Sequence, residues 1–182
     1  MKMIKILTVT GLSIVGLGAS AQILAATKAQ IDERVTATVK EFNTLHKDNA
    51  HLSKKAAGVL VFPKVTKAGV GVAGEHGEGA LQIKGKTVGY YSIGAASVGL
   101  TLGLAKHSEV IMFMDQKSLD KFTASDGWSI GADAGVTVVS KSANGDYDSM
   151  TDQKPILAFG FAEKGLIGDL SLDGTKITQI KD

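Results

Sequence analysis

Between Ala57 and Ala80 a β-branched run is interrupted by Pro63 and then threaded with glycines at 69, 71, 74, 77 and 79. Glycine inside strand-forming sequence marks bends, bulges or close approach of another backbone. A chain built this way is expected to fold as a glycine-bent β scaffold. Nothing in the stretch pairs a nucleophile with a base.

The period changes at Gly58. Upstream, Thr27-Lys-Ala-Gln30 spells a capping box. Ile31, Val35, Val39, Phe42 and Leu45 follow as one helical apolar stripe. Lys47-Asp48-Asn49 interrupts it, a short second helix runs towards Ala57, and Gly58 suits the residue just past a helix end. Downstream the period is two. Val98, Leu100, Leu102 and Leu104 alternate with small residues, as do Trp128 to Val138, Leu157 to Phe161 and Leu166 to Leu172. Val110–Met114 is apolar throughout, as expected of a strand covered on both faces. Asp115 caps a short inserted helix over 116–123, and residues 140–154 read as a polar loop. The expected fold class is α+β: a curved, largely antiparallel sheet or partly closed barrel, packed with an N-terminal helix and one short inserted helix. The helix at 27–46 is expected to be the layer that approaches the glycine lane.

The first residues read as an export signal. Lys2 and Lys5 precede an apolar stretch from Ile6 to Leu17, and Ala19-Ser20-Ala21 offers a cleavage site before Gln22. The expected organisation is a signal peptide over 1–21 and a single domain over 22–182, exported to the periplasm or cell envelope. Cysteine is absent, so the fold rests on packing rather than disulfides.

Several motifs match on paper and fail on context. Gly69-Val-Gly-Val-Ala-Gly74 spells G-x-G-x-x-G, but a dinucleotide site needs a helix to follow, and Glu75-His-Gly-Glu-Gly79 is a poor helix start. Gly127-Trp-Ser-Ile-Gly131 spells a nucleophile elbow, yet the last histidine is His107, upstream of Ser129. Ser118-Leu-Asp-Lys121 lacks the partner motifs of its enzymes. Glu75, His76 and Glu78 are close in sequence but read as a solvated loop, and Asn144, Asp146 and Asp148 lack the rest of a calcium loop. No enzyme, metal or cofactor is expected.

Charge is distributed unevenly. Residues 22–108 carry eleven Lys/Arg against six Asp/Glu, and residues 109–182 carry seven against twelve. The mature chain is neutral overall, which speaks against nucleic acid. The positive half holds the candidate lipid-binding residues. Lys40, Lys47 and Lys54 recur every seven residues, and Lys55, Lys64 and Lys67 flank the helix-to-sheet junction. Long lysine stems can lie on apolar surface while their heads reach phosphate. At about 1 kcal/mol per lysine near an anionic leaflet, charge alone gives weak, salt-sensitive contact.

The ordered series Ala57–Leu81, Val98-Gly-Leu100, Glu109–Met114, Leu119-Asp-Lys-Phe122, Gly131-Ala-Asp-Ala134 and Lys164-Gly-Leu166 resembles the SYLF family over about residues 35–175. Its eukaryotic members bind phosphoinositide membranes, the fungal ones also bind and bundle actin, and bacterial members are exported and lipid-binding. The resemblance implies a non-catalytic module binding anionic phospholipid or a membrane surface. It brings no catalytic residue, and for an exported chain it does not favour actin. The alternative is a protein-interaction or scaffolding module with an envelope protein as partner.

Overall fold

The computed structural model describes residues 26–130, 135–139, 147, 151–167 and 170–181, with backbone only at 97–102 and 152. The export signal, Gly131–Ala134 and most of the 140–154 loop lie outside the described residues.

Helix α1 spans Lys28–Leu45 and opens on the expected capping box: the Gln30 amide donates to Thr27 Oγ1, and the Thr27 amide donates to Gln30 Oε1. Helix α2 (Asn49–Lys55) follows after a break at 46–48. The chain then enters a long hairpin of β1 (Gly58–Ile83) and β2 (Lys86–Phe113). Gly58 is thus the first strand residue, three positions beyond α2. The hairpin turns on Lys84-Gly85, both at positive φ, the backbone twist a two-residue hairpin loop requires.

The hairpin folds in two. Its register slips at Phe62/Val65 and again at Val70/Val72, where Gly71 takes φ 75°. The sharp bend over Gly69–Val72 sends the second half of β1 back across the first, and β2 follows it. At Gly79 the two halves meet backbone to backbone. A Cβ there would stand 2.0 Å from the Val61 carbonyl oxygen, so only glycine fits. The layer that approaches this glycine is therefore the strand's own first half and not α1, because the folded hairpin itself covers the lane.

The remaining strands extend the two layers. Helix α3 (Gln116–Thr123) follows β2, with Asp115 accepting from the Ser118 amide at its N-cap. Then come β3 (Trp128–Ser129), β4 (Val136–Val138), β5 (Ile156–Ala162), β6 (Gly165–Leu166) and β7 (Lys176–Gln179). The described strands form a seven-stranded sheet of order β3-β7-β2-β5-β4, with β1 on the other side of β2 and β6 on β5. Only the β4–β5 pair is parallel. The turn-proximal half of β2 pairs with β7 and its closing half with β5. The sheet is bent over but does not close into a barrel. The alternation from Trp128 to Val138 is divided between opposite ends of the sheet, since β3 pairs with β7 and β4 with β5.

Two cores result. Between the layers, Leu60, Phe62, Ile111 and Phe113 meet Leu81, Tyr91, Ile93 and Ile177, and α3 plugs the space with Leu119 and Phe122. Outside, α1 and α2 lay Ile31, Val35, Phe42 and Leu52 on Val61, Val110, Met112, Leu157 and Phe159. Val110–Phe113 serves both cores in alternation, as a fully apolar strand should. Asp32 ties α1 to β2 by accepting from Thr87 Oγ1 and the Tyr90 hydroxyl, both at 2.8 Å.

Candidate membrane-contact site

Where the hairpin bends, it has no second layer to bury its side chains. Val70 is 79 % exposed, Val72 60 % and Leu104 64 %, and these are three of the four large apolar side chains left open to solvent among the described residues. Register places them together, because Ala68 faces Leu104 and Val70 faces Leu102 across the hairpin. These exposed apolar side chains, gathered on one bend, make a candidate contact surface.

Basic residues stand behind this tip. Lys67 pairs with Ala105, and Lys106 pairs with Thr66. Lys64 lines an adjoining cleft of about 500 Å³ together with Arg34, Pro63, Ala68 and His76, and Glu75 and Glu78 share its wall. Glu78 is engaged, since its Oε2 accepts the Ala26 amide.

The six lysines singled out in the sequence separate into two groups. Lys64 and Lys67 lie on β1 at the bend. Lys40 is on α1, Lys47 in the interhelical break, and Lys54 and Lys55 on α2. The break at 46–48 means that Lys40, Lys47 and Lys54 do not share one continuous helical face. Lys54 instead lines a second cleft of about 440 Å³ with Lys84, Val39 and Val59. Sequence reasoning missed the apolar tip. Val70, Val72 and Leu104 look like ordinary strand residues until the strand is seen to bend between them.

At the base of the bend three titratable side chains converge. His107 Nε2 lies 2.8 Å from Glu109 Oε1 and 3.7 Å from Glu75 Oε1. Burial holds the Glu75 carboxyl above its usual range, and the charge and hydrogen-bonding reach of Glu109 add to this, against weaker pulls from His107 and Lys67. Burial alone would lower the imidazole of His107. The hydrogen bond to Glu109 and the charges of Glu109 and Glu75 outweigh it and hold His107 above its ordinary value. His76, grouped with Glu75 in the sequence, is exposed and takes no part in this cluster.

Gly69–Gly74 is the bend itself, and a strand follows it, not a helix. Ser118 sits in the first turn of α3, its hydroxyl donating to Asp115.

Residues 94–182 match a family model described as Ysc84, Las17-binding protein actin regulator. Over that stretch the chain matches the SYLF family. The match begins within β2, so the SYLF-like residues of β1 and the helices precede it. The family is one of binding modules rather than catalysts. A comparison with curated proteins gave no match. No helix among the described residues is long and apolar enough to cross a membrane.

Proposed function

We propose that this SYLF protein acts in the cell envelope, after export, as a non-catalytic binder of anionic phospholipid surfaces, and that the hairpin bend is the part that enters the membrane interface. The observation that supports this is the exposed trio Val70, Val72 and Leu104 with Lys64, Lys67 and Lys106 behind it. An apolar tip with a basic collar suits the boundary between acyl chains and anionic headgroups.

Magnitudes favour the combination over charge alone. Three lysines near an anionic leaflet are worth about 3 kcal/mol. Burying three part-exposed aliphatic side chains adds about 4 kcal/mol. Together these correspond to a Kd of roughly 10 μM, against several millimolar for the lysines alone.

The test is sedimentation of the mature protein with phosphatidylglycerol-containing vesicles and with pure phosphatidylcholine. Binding to the first, much reduced on the second, is expected. Val70→Asp with Val72→Asp is expected to abolish it without unfolding, since both side chains are already in solvent. Undiminished binding by the folded double variant would remove the bend from the account. A protein partner is the second reading, favoured by the binding partner named in the family's description. Pull-down of one defined envelope protein, with no vesicle binding, would establish it.

A further inference from the structure

We infer that Glu75, His107 and Glu109 form a binding site for a divalent transition-metal ion, with Zn²⁺ the best match, which staples together the two layers of the folded hairpin. The inference stands independently of lipid binding. Glu75 comes from the half of β1 that follows the bend. His107 and Glu109 come from the closing half of β2, two residues apart and so on one face of the strand. One ligating atom from each residue lies within 4.8 Å of the others.

A second observation points to a bound cation. Glu109 is 1 % exposed, and its Oε2 has no hydrogen-bond partner. A buried carboxylate left half-satisfied is costly unless positive charge meets it. Here one imidazole faces two carboxylates. A divalent ion that Glu109 holds through both carboxylate oxygens would give Oε2 the partner it lacks.

The donor set selects the ion. One imidazole nitrogen and two carboxylate oxygens suit Zn²⁺, whose bonds of about 2.0–2.2 Å put tetrahedral ligand atoms about 3.4 Å apart. The separations of 2.8 and 3.7 Å at His107 Nε2 bracket that value. Calcium, which takes six to eight oxygens, is poorly served by three ligands of which one is nitrogen. With three protein ligands the fourth position would fall to water. The proposed role is structural: the ion would join Glu75, three residues past Val72, to the strand that carries Leu104, and so fix both legs of the bend.

The experiment uses the untagged mature chain, freed of metal with a chelator that is then removed, and titrated with ZnCl₂ by calorimetry. One ion per chain is expected, together with a melting temperature that rises with free Zn²⁺. Glu75→Gln and His107→Gln are each expected to weaken that binding at least about tenfold. Circular dichroism confirms that each variant is folded, and Glu75→Gln, close in shape to the native side chain, serves if His107→Gln does not fold. A His76→Gln control is expected to bind as wild type. Absence of binding by the wild-type chain, or wild-type affinity in a folded Glu75→Gln variant, would overturn the site.

Discussion

The Val61 carbonyl oxygen stands 2.0 Å from the place a Cβ on Gly79 would occupy. Two halves of one strand thus touch with no side chain between them, and the core that includes Leu60, Phe62 and Leu81 is assembled around that contact. A methyl group there would have to push two backbones apart. Gly79→Ala is expected to destabilise the fold by about 3 kcal/mol. Gly74 offers the contrast: a Cβ there would meet nothing within 4 Å, so Gly74→Ala should stay within about 0.5 kcal/mol of wild type. Urea denaturation decides, and equal midpoints for the two variants would contradict the close-contact account.

The two lysine groups make separate predictions. Lys67 lies two residues before the bend and Lys64 lines the cleft that adjoins it, whereas Lys40 is nine residues, or about 14 Å of helix, beyond Ile31, which shares that cleft. That distance exceeds the screening length of about 8 Å at physiological salt. Lys64→Gln with Lys67→Gln is expected to weaken binding to anionic vesicles about thirtyfold, at about 1 kcal/mol per lysine. Lys40→Gln with Lys47→Gln should change it by no more than about twofold. If the helical pair proves the more damaging, the domain meets the membrane through α1 and not through the bend.

Much of this fold could be read from local chemistry, and the contrast with what could not is instructive. The cap at Thr27, the cap at Asp115 and the two-sided strand at Val110–Phe113 each depend on residues within a few positions of one another, so spacing reveals them. The hairpin turn at Lys84-Gly85 escaped because lysine is not a usual first residue for a turn that needs positive φ twice. The continuous alternation from Trp128 to Val138 conceals a change of pairing partner, which side-chain period cannot report. The candidate site was legible only in its charges. Val70 and Leu104, like Glu75 and His107, are more than thirty residues apart and become neighbours only when the hairpin bends on itself.

Asn49 offers a test of how the helices are held to one another. It is fully buried at the start of α2, where its Nδ2 donates to the Phe42 carbonyl at 2.6 Å and its Oδ1 accepts from the Tyr147 hydroxyl. The Phe42 carbonyl belongs to the last turn of α1, so this side chain caps one helix from the next. Asn49→Ala leaves the buried Phe42 carbonyl and the part-buried Tyr147 hydroxyl without this partner and is expected to cost about 3 kcal/mol. Tyr147→Phe leaves the buried Asn49 Oδ1 without its donor and is expected to cost about 2 kcal/mol. The double variant should cost less than the two single effects combined, since the shared bond can be lost only once. Strict additivity in urea titrations would show that the hydrogen bond contributes nothing.

The same tyrosine predicts how stability responds to alkali. Burial pushes the Tyr147 phenol well above its usual range; the Asn49 hydrogen bond acts the other way, and the charge of Asp48 adds to the rise. Tyr90 is held up by its hydrogen bond to Asp32, and Tyr91 by burial. A phenol whose pKa is raised by folding keeps its proton in the native state after the unfolded chain has lost it. The associated stability is complete below about pH 10 and declines as pH rises beyond that value. The slope from each falls well short of the full value for one proton, about 1.4 kcal/mol per pH unit, because solvent screens these part-exposed phenols, Tyr90 most of all. Wild type is therefore expected to lose stability from about pH 10 upwards, with most of the absorbance at 295 nm appearing as the chain unfolds. Tyr147→Phe should be less stable than wild type at pH 8 yet decline more gently above pH 10, with Tyr90 and Tyr91 responsible for the remaining slope. Parallel curves for the two proteins would mean that the Tyr147 hydroxyl ionises as freely in the fold as in water, and that its bond to Asn49 does not shield it.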